Sequence, residues 1–259
     1  MIICKSPAEL EKMYRAGQVV WDVLTALRPM VAPGVSTMDL EKFAERRTAE
    51  HKARPAFKGY RGYPCVLCTS LNSEVVHGIP SPKRTMKDGD ILSVDYGVEL
   101  DGYFADAAVT IPVGKIQPEL AKLLRVTRDS LDRAIENARL GNRLSDISHA
   151  VQSCAEGSGF SVVREFVGHG IGTVMHEDLQ LPNYGGPGRG PRLQEGMTLA
   201  IEPMVNAGGP GVRVLDDQWT AVTDDGSASA HFEHTVAVTS NGPWILTRPK
   251  NVAGPSWEV

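Results

Sequence analysis

The 259-residue sequence lacks the features that mark secreted, membrane-spanning or nucleic-acid-binding proteins. No apolar run approaches about 18 residues, so no transmembrane helix is predicted. The first ten residues do not have the charged-then-apolar layout of a signal peptide. The net charge is −4, so no basic field is present to recruit DNA. We therefore expect a cytoplasmic globular protein that binds neither DNA nor a membrane.

Cysteine is also scarce, and only Cys65 and Cys68 of the four cysteines are close in sequence. Such scattered thiols predict no disulfide framework. A zinc ribbon would need a second CxxC, which the sequence lacks. A redox pair usually opens a helix, whereas Tyr63-Pro64 and the β-branched neighbours favour a strand or loop. We interpret both cysteines as structural or pocket-wall residues.

Four segments have the capping and periodicity of α-helices. The first follows a capping box with Ser6 as the N-cap, Pro7 as the first helical residue and Glu9 at the third helical position. Apolar residues at helical spacing extend this helix to about Leu27. The other three helices are predicted from Ser36 or Thr37 to about 51, from Pro118 to Gly141, and from about Ser145 to Gly157.

Strand-like segments fill much of the remaining chain. Residues 91–97 and 103–113 are predicted to pair through the turn sequence Glu99-Leu100-Asp101-Gly102. Later strands are predicted at 198–203, 211–222 and 231–239. Because no low-complexity linker interrupts the chain, the pattern indicates one α/β domain over residues 1–259.

The sequence contains a weak internal repeat. Residues 89–95 resemble residues 196–202, since each segment runs from a glycine to a carboxylate that ends an apolar strand. Residues 104–110 resemble residues 232–239 less closely. The repeat therefore predicts two similar halves around one site. These halves are about 1–115 and 116–259.

Asp95 and Asp106 are expected to share one face of the predicted hairpin. A two-residue turn at 100–101 would place them directly opposite each other, whereas a turn at 101–102 would pair Asp106 with Gly97. Side chains alternate between faces, so either register leaves the two carboxylates on one face. Cross-strand neighbours lie about 4.5–5.5 Å apart, or about 7–8 Å on the diagonal. Two carboxylates this close in an apolar setting repel each other, so we expect a cation between them.

Glu202 and Glu233 occupy the matching positions of the second half. Four carboxylates at one centre would need balancing charge, which two divalent metal ions supply, and carboxylate and imidazole ligands suit Co, Mn, Fe(II) or Zn. The segment EFVGHGIGTVMHEDLQLPNYG (165–185) offers a histidine ligand, and its glycines argue against a helix. Taken singly, each carboxylate is more simply interpreted as a turn residue. Four further histidines are interpreted as surface or packing residues: His51, His149, His231 and His234.

Five separated segments of the chain resemble type I methionine aminopeptidases of the bacterial kind. They are GYRGYPCVLCTSLNSEVVHGIP (59–80), DILSVDYGVELDGYFADAAVT (90–110), VGHGIGTVMHE (167–177), AIEPMV (200–205) and HFEHTV (231–236). The match covers essentially the whole chain. It implies the pita-bread fold, in which two pseudo-symmetric α/β halves curve antiparallel strands around the site.

The resemblance also implies a set of metal ligands. Asp95 would chelate one metal ion, Asp106 and Glu233 would bridge two, and His169 and Glu202 would complete the second. Two close metal ions would activate a water molecule and bind the free α-amine of the substrate, which limits cleavage to the first residue. All five positions carry the family's residue type.

Further residues are assigned catalytic and substrate-binding roles by the same resemblance. Glu202 would carry a proton from water to the leaving amine. His176 would contact the scissile carbonyl and His77 the following backbone amide. The methionine pocket would be walled by Tyr60, Tyr63, Cys68, Met175 and Trp219. Two positions depart from the family pattern, because Met175 replaces a frequent aromatic residue and His231 replaces the usual glutamine.

The implied substrates are the N-termini of nascent polypeptides, deformylated in bacteria, with a small second residue. Transient contact with the ribosome and a monomeric state are further expectations. Proline-directed peptidases share the metal-binding half but usually add an N-terminal domain, and a type II methionine aminopeptidase would need a helical insertion in the second half. A non-catalytic pita-bread protein acting as a binding module would typically lack some of the metal ligands that this chain keeps.

Overall fold

The computed structural model describes residues 2–254 and residue 257, and its elements run twice from a pair of helices to a series of strands. The helices are α1 (Pro7–Leu27), α2 (Thr37–Glu50), α3 (Pro118–Asn137) and α4 (Leu144–Gly157). The strands before α3 are β1 (Arg54–Pro55), β2 (Leu67–Leu71), β3 (Glu74–Val76), β4 (Ile91–Leu100) and β5 (Tyr103–Pro112). The strands after α4 are β6 (Ser161–Val162), β7 (Gly168–Gly170), β8 (Glu177–Leu181), β9 (Thr198–Ile201), β10 (Met204–Asn206), β11 (Val212–Val214), β12 (Ala221–Thr223), β13 (Ser229–His231), β14 (His234–Thr239) and β15 (Gly242–Ile245).

The helix starts follow from local capping. The Ser6 hydroxyl accepts a hydrogen bond from the Glu9 N–H at 3.4 Å, and the Glu9 carboxylate accepts one from the Ser6 N–H at 2.7 Å. This capping box satisfies two backbone donors that would otherwise lack partners, so the predicted start of α1 is confirmed. The predicted end of α3 is wrong by four residues, because Ala138 already leaves the helical conformation with a ψ of 58°.

The β4–β5 hairpin carries the first two candidate ligands and has the second of the two predicted registers. Asp106 lies opposite Gly97, and Asp95 lies opposite Ala108. The turn residues Asp101 and Gly102 both have positive φ, at 51° and 81°, which an Asp-Gly pair tolerates at low cost. Both carboxylates therefore project from one face of the hairpin, as either register predicted.

All strand pairs among the described residues are antiparallel. In one sheet β4 pairs with β1, β2 and β5, and α1 packs against β4 and β5. A five-stranded sheet has the order β15-β14-β9-β7-β8, and two three-stranded sheets have the orders β13-β10-β6 and β11-β12-β3. A single large apolar cluster from α1, α3, α4 and these strands forms the main core.

Two long predicted strands are interrupted in the structure. The first, 211–222, divides into β11 and β12 because the Asp217 carboxylate accepts hydrogen bonds from the N–H groups of Trp219 and Thr220 and stabilises a turn. The second, 231–239, divides after β13, and β14 begins at His234. Glu233 therefore lies outside both strands, with its N–H donated to the Ala108 carbonyl of β5 at 2.9 Å.

Within residues 2–254 and residue 257, no helix is long and apolar enough to cross a membrane. The division of the chain into two halves near residue 115 stays a prediction.

Candidate active site and metal centre

The twelve residues that the sequence singled out line one cavity of about 280 Å³. They are Tyr60, Tyr63, Cys68, His77, Asp95, Asp106, His169, Met175, His176, Glu202, Trp219 and Glu233. A larger, open groove of about 660 Å³ lies beside α1 and β15 and contains none of them. The tertiary structure thus brings every predicted site residue together.

Strand geometry explains how His169 comes next to the carboxylates. His169 lies on β7 opposite Ala200 of β9, and Glu202 follows directly after the end of β9. A Cβ at Gly168 would lie 2.4 Å from the Ala200 carbonyl oxygen and 3.4 Å from the Glu202 side chain. The glycine is therefore required for the close approach of β7 to β9 that brings the imidazole beside Glu202.

The orientation of the His169 ring is set by a backbone carbonyl. Its Nδ1 lies 2.9 Å from the Gly170 carbonyl oxygen, so Nδ1 carries the hydrogen and donates it there. The opposite ring nitrogen, Nε2, lies 3.5 Å from Asp106 Oδ2 and 3.6 Å from Glu202 Oε1. In the neutral tautomer, the lone pair of Nε2 therefore faces the carboxylates, as a metal ligand requires.

The donor set fits a metal centre. Asp106, His169 and Glu233 are buried, and each offers one ligand atom within 4.8 Å of the others. Asp95 Oδ1 is buried and has no hydrogen-bond partner in the part of the chain that the structure describes. Among the described residues, no lysine or arginine forms an ion pair with Asp95, Asp106, Glu202 or Glu233. Bound divalent cations would therefore balance the negative charge of these four carboxylates, and this donor set suits them.

Burial and mutual repulsion shift the acid–base properties of the site. Burial raises the pKa of Glu202 to about 8, and the nearby Asp106 charge adds to the rise. Burial, then the charges of Asp106 and Glu202, raise the pKa values of Asp95 and Glu233 well above their ordinary range. Burial alone would lower the pKa of His169, but the contact with Asp106, the Glu202 charge and the Gly170 carbonyl together outweigh burial and raise it to about 9. Without a cation, these groups favour their proton-bound forms.

Because the pKa values of these buried groups are raised, we expect the metal-free protein to lose stability as pH rises from 6.5 to 8. Folded Glu202, with a pKa of about 8 against an ordinary 4.5, and folded His169, with a pKa of about 9 against 6.5, hold protons in this range that the unfolded chain releases. For Glu202 and His169 together, we expect the free energy of unfolding to fall by roughly 2–4 kcal/mol between these pH values. The raised pKa values of Asp95 and Glu233 act in the same direction.

Urea denaturation of the chelator-treated protein at several pH values measures this change. Around and below pH 6.5 the trend is opposed by three histidines whose pKa values burial lowers, His77 and His176 to about 4 and His231 to about 3. Saturating Mn(II) provides the control, because bound cations favour the deprotonated ligands and should remove the loss above pH 6.5. A metal-free stability that stays level or rises from pH 6.5 to 8 would contradict the prediction.

Two further histidines, His77 and His176, line the cavity. His176 Nδ1 lies 2.9 Å from the Tyr60 hydroxyl, and the two rings stack with centroids 5.2 Å apart. The His176 ring also lies 4.1 Å from that of His169. His77 follows β3 with a positive φ of 62°, and its ring meets Phe166 edge-on at 5.5 Å. Both imidazoles therefore border the space next to the carboxylates.

The pocket wall beside this centre is apolar and held in place by hydrogen bonds. The Tyr63 hydroxyl lies 2.9 Å from the Leu67 carbonyl oxygen and 3.1 Å from that of Gly78, and the Tyr63 ring packs edge-on against Trp219. Tyr63 and Cys68 are buried in one cluster, and Met175 is buried in the neighbouring one. Burial raises the pKa of the Cys68 thiol well above its usual value, so this cysteine stays a neutral wall residue.

Sequence reasoning missed other residues of the cavity. Phe57 and Phe166 both line it. The sequence favours a surface or packing role for His231, whereas the structure places it in the cavity wall, with its buried Nε2 3.9 Å from Glu202 Oε2. The signal for His231 was its position two residues before Glu233, whereas nothing local distinguished the two phenylalanines from core residues.

Comparisons with known proteins agree with this geometry. Residues 11–240 match the model of metallopeptidase family M24. The chain is 52% identical over 247 residues to "Methionine aminopeptidase" of Clostridium acetobutylicum, covering 95% of this chain and 99% of that protein. It is 53% identical over 248 residues to "Methionine aminopeptidase 1" of Bacillus subtilis, covering 96% of this chain and all of the relative.

A solved structure extends the likeness to the fold. The crystal structure of methionine aminopeptidase from Thermotoga maritima superimposes with a TM-score of 0.95 at 48% identity, covering 96% of this chain and all of that one. The expected pita-bread fold is thereby confirmed, as is the resemblance drawn from five sequence segments. The chain belongs to metallopeptidase family M24.

Proposed function

We propose that this protein is a metal-dependent aminopeptidase that removes the N-terminal methionine from nascent polypeptides whose second residue is small. The observation that carries the proposal is the single cavity in which an acidic, histidine-containing centre adjoins an apolar pocket. Relatives that are 52% and 53% identical to this chain bear the name methionine aminopeptidase, which supports the same activity and substrate for this protein.

Asp95, Asp106, His169, Glu202 and Glu233 would hold two divalent metal ions, drawn from Co, Mn, Fe(II) or Zn. When bound, the ions supply Lewis-acid chemistry, since they lower the pKa of a water molecule and polarise the scissile carbonyl. The chain's own contribution is a fixed donor set: the Gly170 carbonyl orients His169, and the Thr235 hydroxyl lies 2.9 Å from Asp106 Oδ1.

Glu202 is the proposed proton carrier. Its side chain is 13% exposed, so it reaches the cavity, and burial raises its pKa to about 8 in the metal-free protein. A carboxylate in this position takes a proton from the attacking water and returns it to the amine of the leaving peptide. Asp106 and Glu233 are more enclosed, at 2% exposure each, which leaves Glu202 better placed to exchange a proton with substrate.

His77 and His176 are the proposed substrate contacts. Burial lowers the pKa of His77 to about 4, so its imidazole is neutral at physiological pH and can donate one hydrogen bond to a peptide group. His176 lies exposed at the rim, held by the Tyr60 hydroxyl, where it can donate to the scissile carbonyl as negative charge develops.

The apolar wall beside the centre is the proposed methionine pocket. Tyr60, Tyr63 and Trp219 provide aromatic edges and faces, and a thioether makes favourable contacts with such rings. Cys68 and Met175 complete the wall with soft, polarisable atoms. An unbranched side chain fits a narrow pocket of this kind better than a β-branched one.

The proposed partners are deformylated nascent chains, met in the cytosol by a monomeric enzyme. Transient contact with the ribosome is part of this proposal. The second residue of the substrate would pass close to His77 and Phe166, whose rings stand edge to face. A bulky second residue would crowd this passage.

A peptide series tests the proposal. Purified metal-free protein is titrated with Mn, Fe(II), Co and Zn, and methionine release from Met-Xaa-Ser is measured with Xaa as Gly, Ala, Val or Leu. We expect kcat/KM for Ala to exceed that for Leu by at least about tenfold, since one steric clash is worth about 1–3 kcal/mol. N-formyl-Met-Ala-Ser and Leu-Ala-Ser are the matched controls, and both should resist cleavage. Equal rates for Ala and Leu, or release of formyl-methionine, would refute the proposal.

A further inference from the structure

The largest fully buried side chain among the described residues is Trp257, which comes from the C-terminal segment. Its ring is 1% exposed and lies in the main core, against residues far away in sequence. It stacks on Trp21 of α1, with centroids 4.9 Å apart and planes 15° from parallel. It also stacks on His234, with centroids 4.8 Å apart and planes 13° from parallel. Trp257 thus fills the gap between α1 and the start of β14.

The indole N–H of Trp257 has a specific partner. Nε1 donates a hydrogen bond to the backbone carbonyl of Glu233 at 3.2 Å. Glu233 lies between β13 and β14, so its carbonyl has no strand partner there. The N–H of the same residue donates to Ala108 of β5 at 2.9 Å. The backbone of Glu233 is therefore held on one side by the hairpin and on the other by Trp257.

The break between β13 and β14 places the Glu233 side chain in the candidate metal centre. Because the chain leaves the ladder at Glu233, its side chain reaches Asp106 and His169, but its buried carbonyl must find a partner elsewhere. We propose that Trp257 is a positioning residue for the metal centre, which orients the Glu233 carboxylate through the backbone hydrogen bond. This inference deepens the proposed function, since it concerns the same metal centre, and it acts on the ligand without touching substrate.

Three variants separate positioning from packing. Trp257→Phe keeps an aromatic ring for stacking but removes the donor, and Trp257→Ala removes both. Trp244→Phe is the matched control, because the buried Trp244 Nε1 has no hydrogen-bond partner among the described residues and the ring lies outside the cavity. The probe is Co(II), titrated calorimetrically into the metal-free 259-residue protein. The visible absorption spectrum of bound Co(II), kcat and KM on Met-Ala-Ser, and the metal-free melting temperature are measured on the same variants.

We expect Trp257→Phe to weaken Co(II) binding by about 10-fold or more, as loss of an outer partner of a ligand typically does. Its Co(II) absorption should change and its kcat should fall, with KM unchanged and only a small drop in melting temperature. Trp257→Ala should lower affinity and melting temperature together, and Trp244→Phe should alter none of the Co(II) readouts.

Equal Co(II) affinity and spectra in wild type, Trp257→Phe and Trp244→Phe would overturn the inference and leave Trp257 as a packing residue. Failure of the wild type to bind Co(II) would overturn it as well. Wild-type protein that binds Co(II) but releases no methionine would refute the proposed function, while the comparison of affinities would still decide the role of Trp257.

Discussion

Replacing Glu202 by glutamine is expected to lower kcat on Met-Ala-Ser by about 10²- to 10⁴-fold, the range that one general acid–base residue contributes. Glutamine has nearly the same shape, so it can occupy the same place after β9 beside His169 and His231. It cannot accept and return a proton at neutral pH. Initial rates at saturating metal and saturating peptide measure the change in kcat.

The control for this substitution is Glu195→Gln, in the exposed loop before β9. The Glu195 carboxylate accepts a surface hydrogen bond from the Ser240 N–H at 3.3 Å and lies outside the cavity, so its loss should leave kcat unchanged. The pH profile of kcat for Glu202→Gln should also lack the ionisation that Glu202 contributes to the wild-type profile. A Glu202→Gln enzyme with wild-type kcat would exclude Glu202 as the proton carrier.

Replacing Asp106 by asparagine is expected to weaken Co(II) binding and to lower kcat/KM by at least about 100-fold, since outer partners of ligands already contribute about 10- to 100-fold. The Asp106 Oδ1 atom accepts a hydrogen bond from the Thr235 hydroxyl at 2.9 Å, and Oδ2 faces His169 Nε2 at 3.5 Å. If the asparagine oxygen keeps the Thr235 contact, its NH₂ group replaces Oδ2, and a nitrogen with two hydrogens cannot bind a cation.

Calorimetric titration of Co(II) and metal-free melting curves distinguish lost binding from lost folding. Removing Asp106 relieves repulsion among the four carboxylates but also removes the contact that raises the pKa of His169, so the metal-free melting curve of Asp106→Asn is compared with that of the wild type at the same pH as the titration. Asp101→Asn is the matched control on the same hairpin, because Asp101 is exposed in the turn and tolerates asparagine at positive φ. Unaltered Co(II) affinity in Asp106→Asn would remove Asp106 from the proposed ligand set.

The sequence predicted local features well when a few neighbouring residues decide them. The capping box at Ser6 and Glu9 defines the start of α1, because the hydrogen bonds span only three residues. The hairpin of β4 and β5 follows from an Asp-Gly turn between alternating strands. The two alternative registers differed by two residues, so the shared face of Asp95 and Asp106 was predictable even though the partner of each residue was not.

Features that depend on distant contacts were less predictable. The strand expected over 231–239 is broken at Phe232 and Glu233, where the chain is held by β5 on one side and by Trp257 on the other. The cavity positions of His231 and Phe166 likewise depend on how separate strands and loops converge. Hydrophobic periodicity reports which residues are buried, but it does not report which buried neighbours they meet.

By itself, the sequence determined the helix starts, the hairpin and its paired aspartates, and, through five ordered segments, membership of the metallopeptidase family. These properties depend on hydrogen bonds and side-chain alternation over a few residues, or on motifs that a linear string preserves. The resemblance implied that His169, Glu202 and Glu233 join Asp95 and Asp106, but only the tertiary structure decided how they meet in one cavity. It alone also decided that the Trp257 indole donates a hydrogen bond to the Glu233 carbonyl. The reason is physical: this convergence comes from packing α1 and the antiparallel sheets into one core, where partners more than a hundred residues apart satisfy each other's buried polar groups.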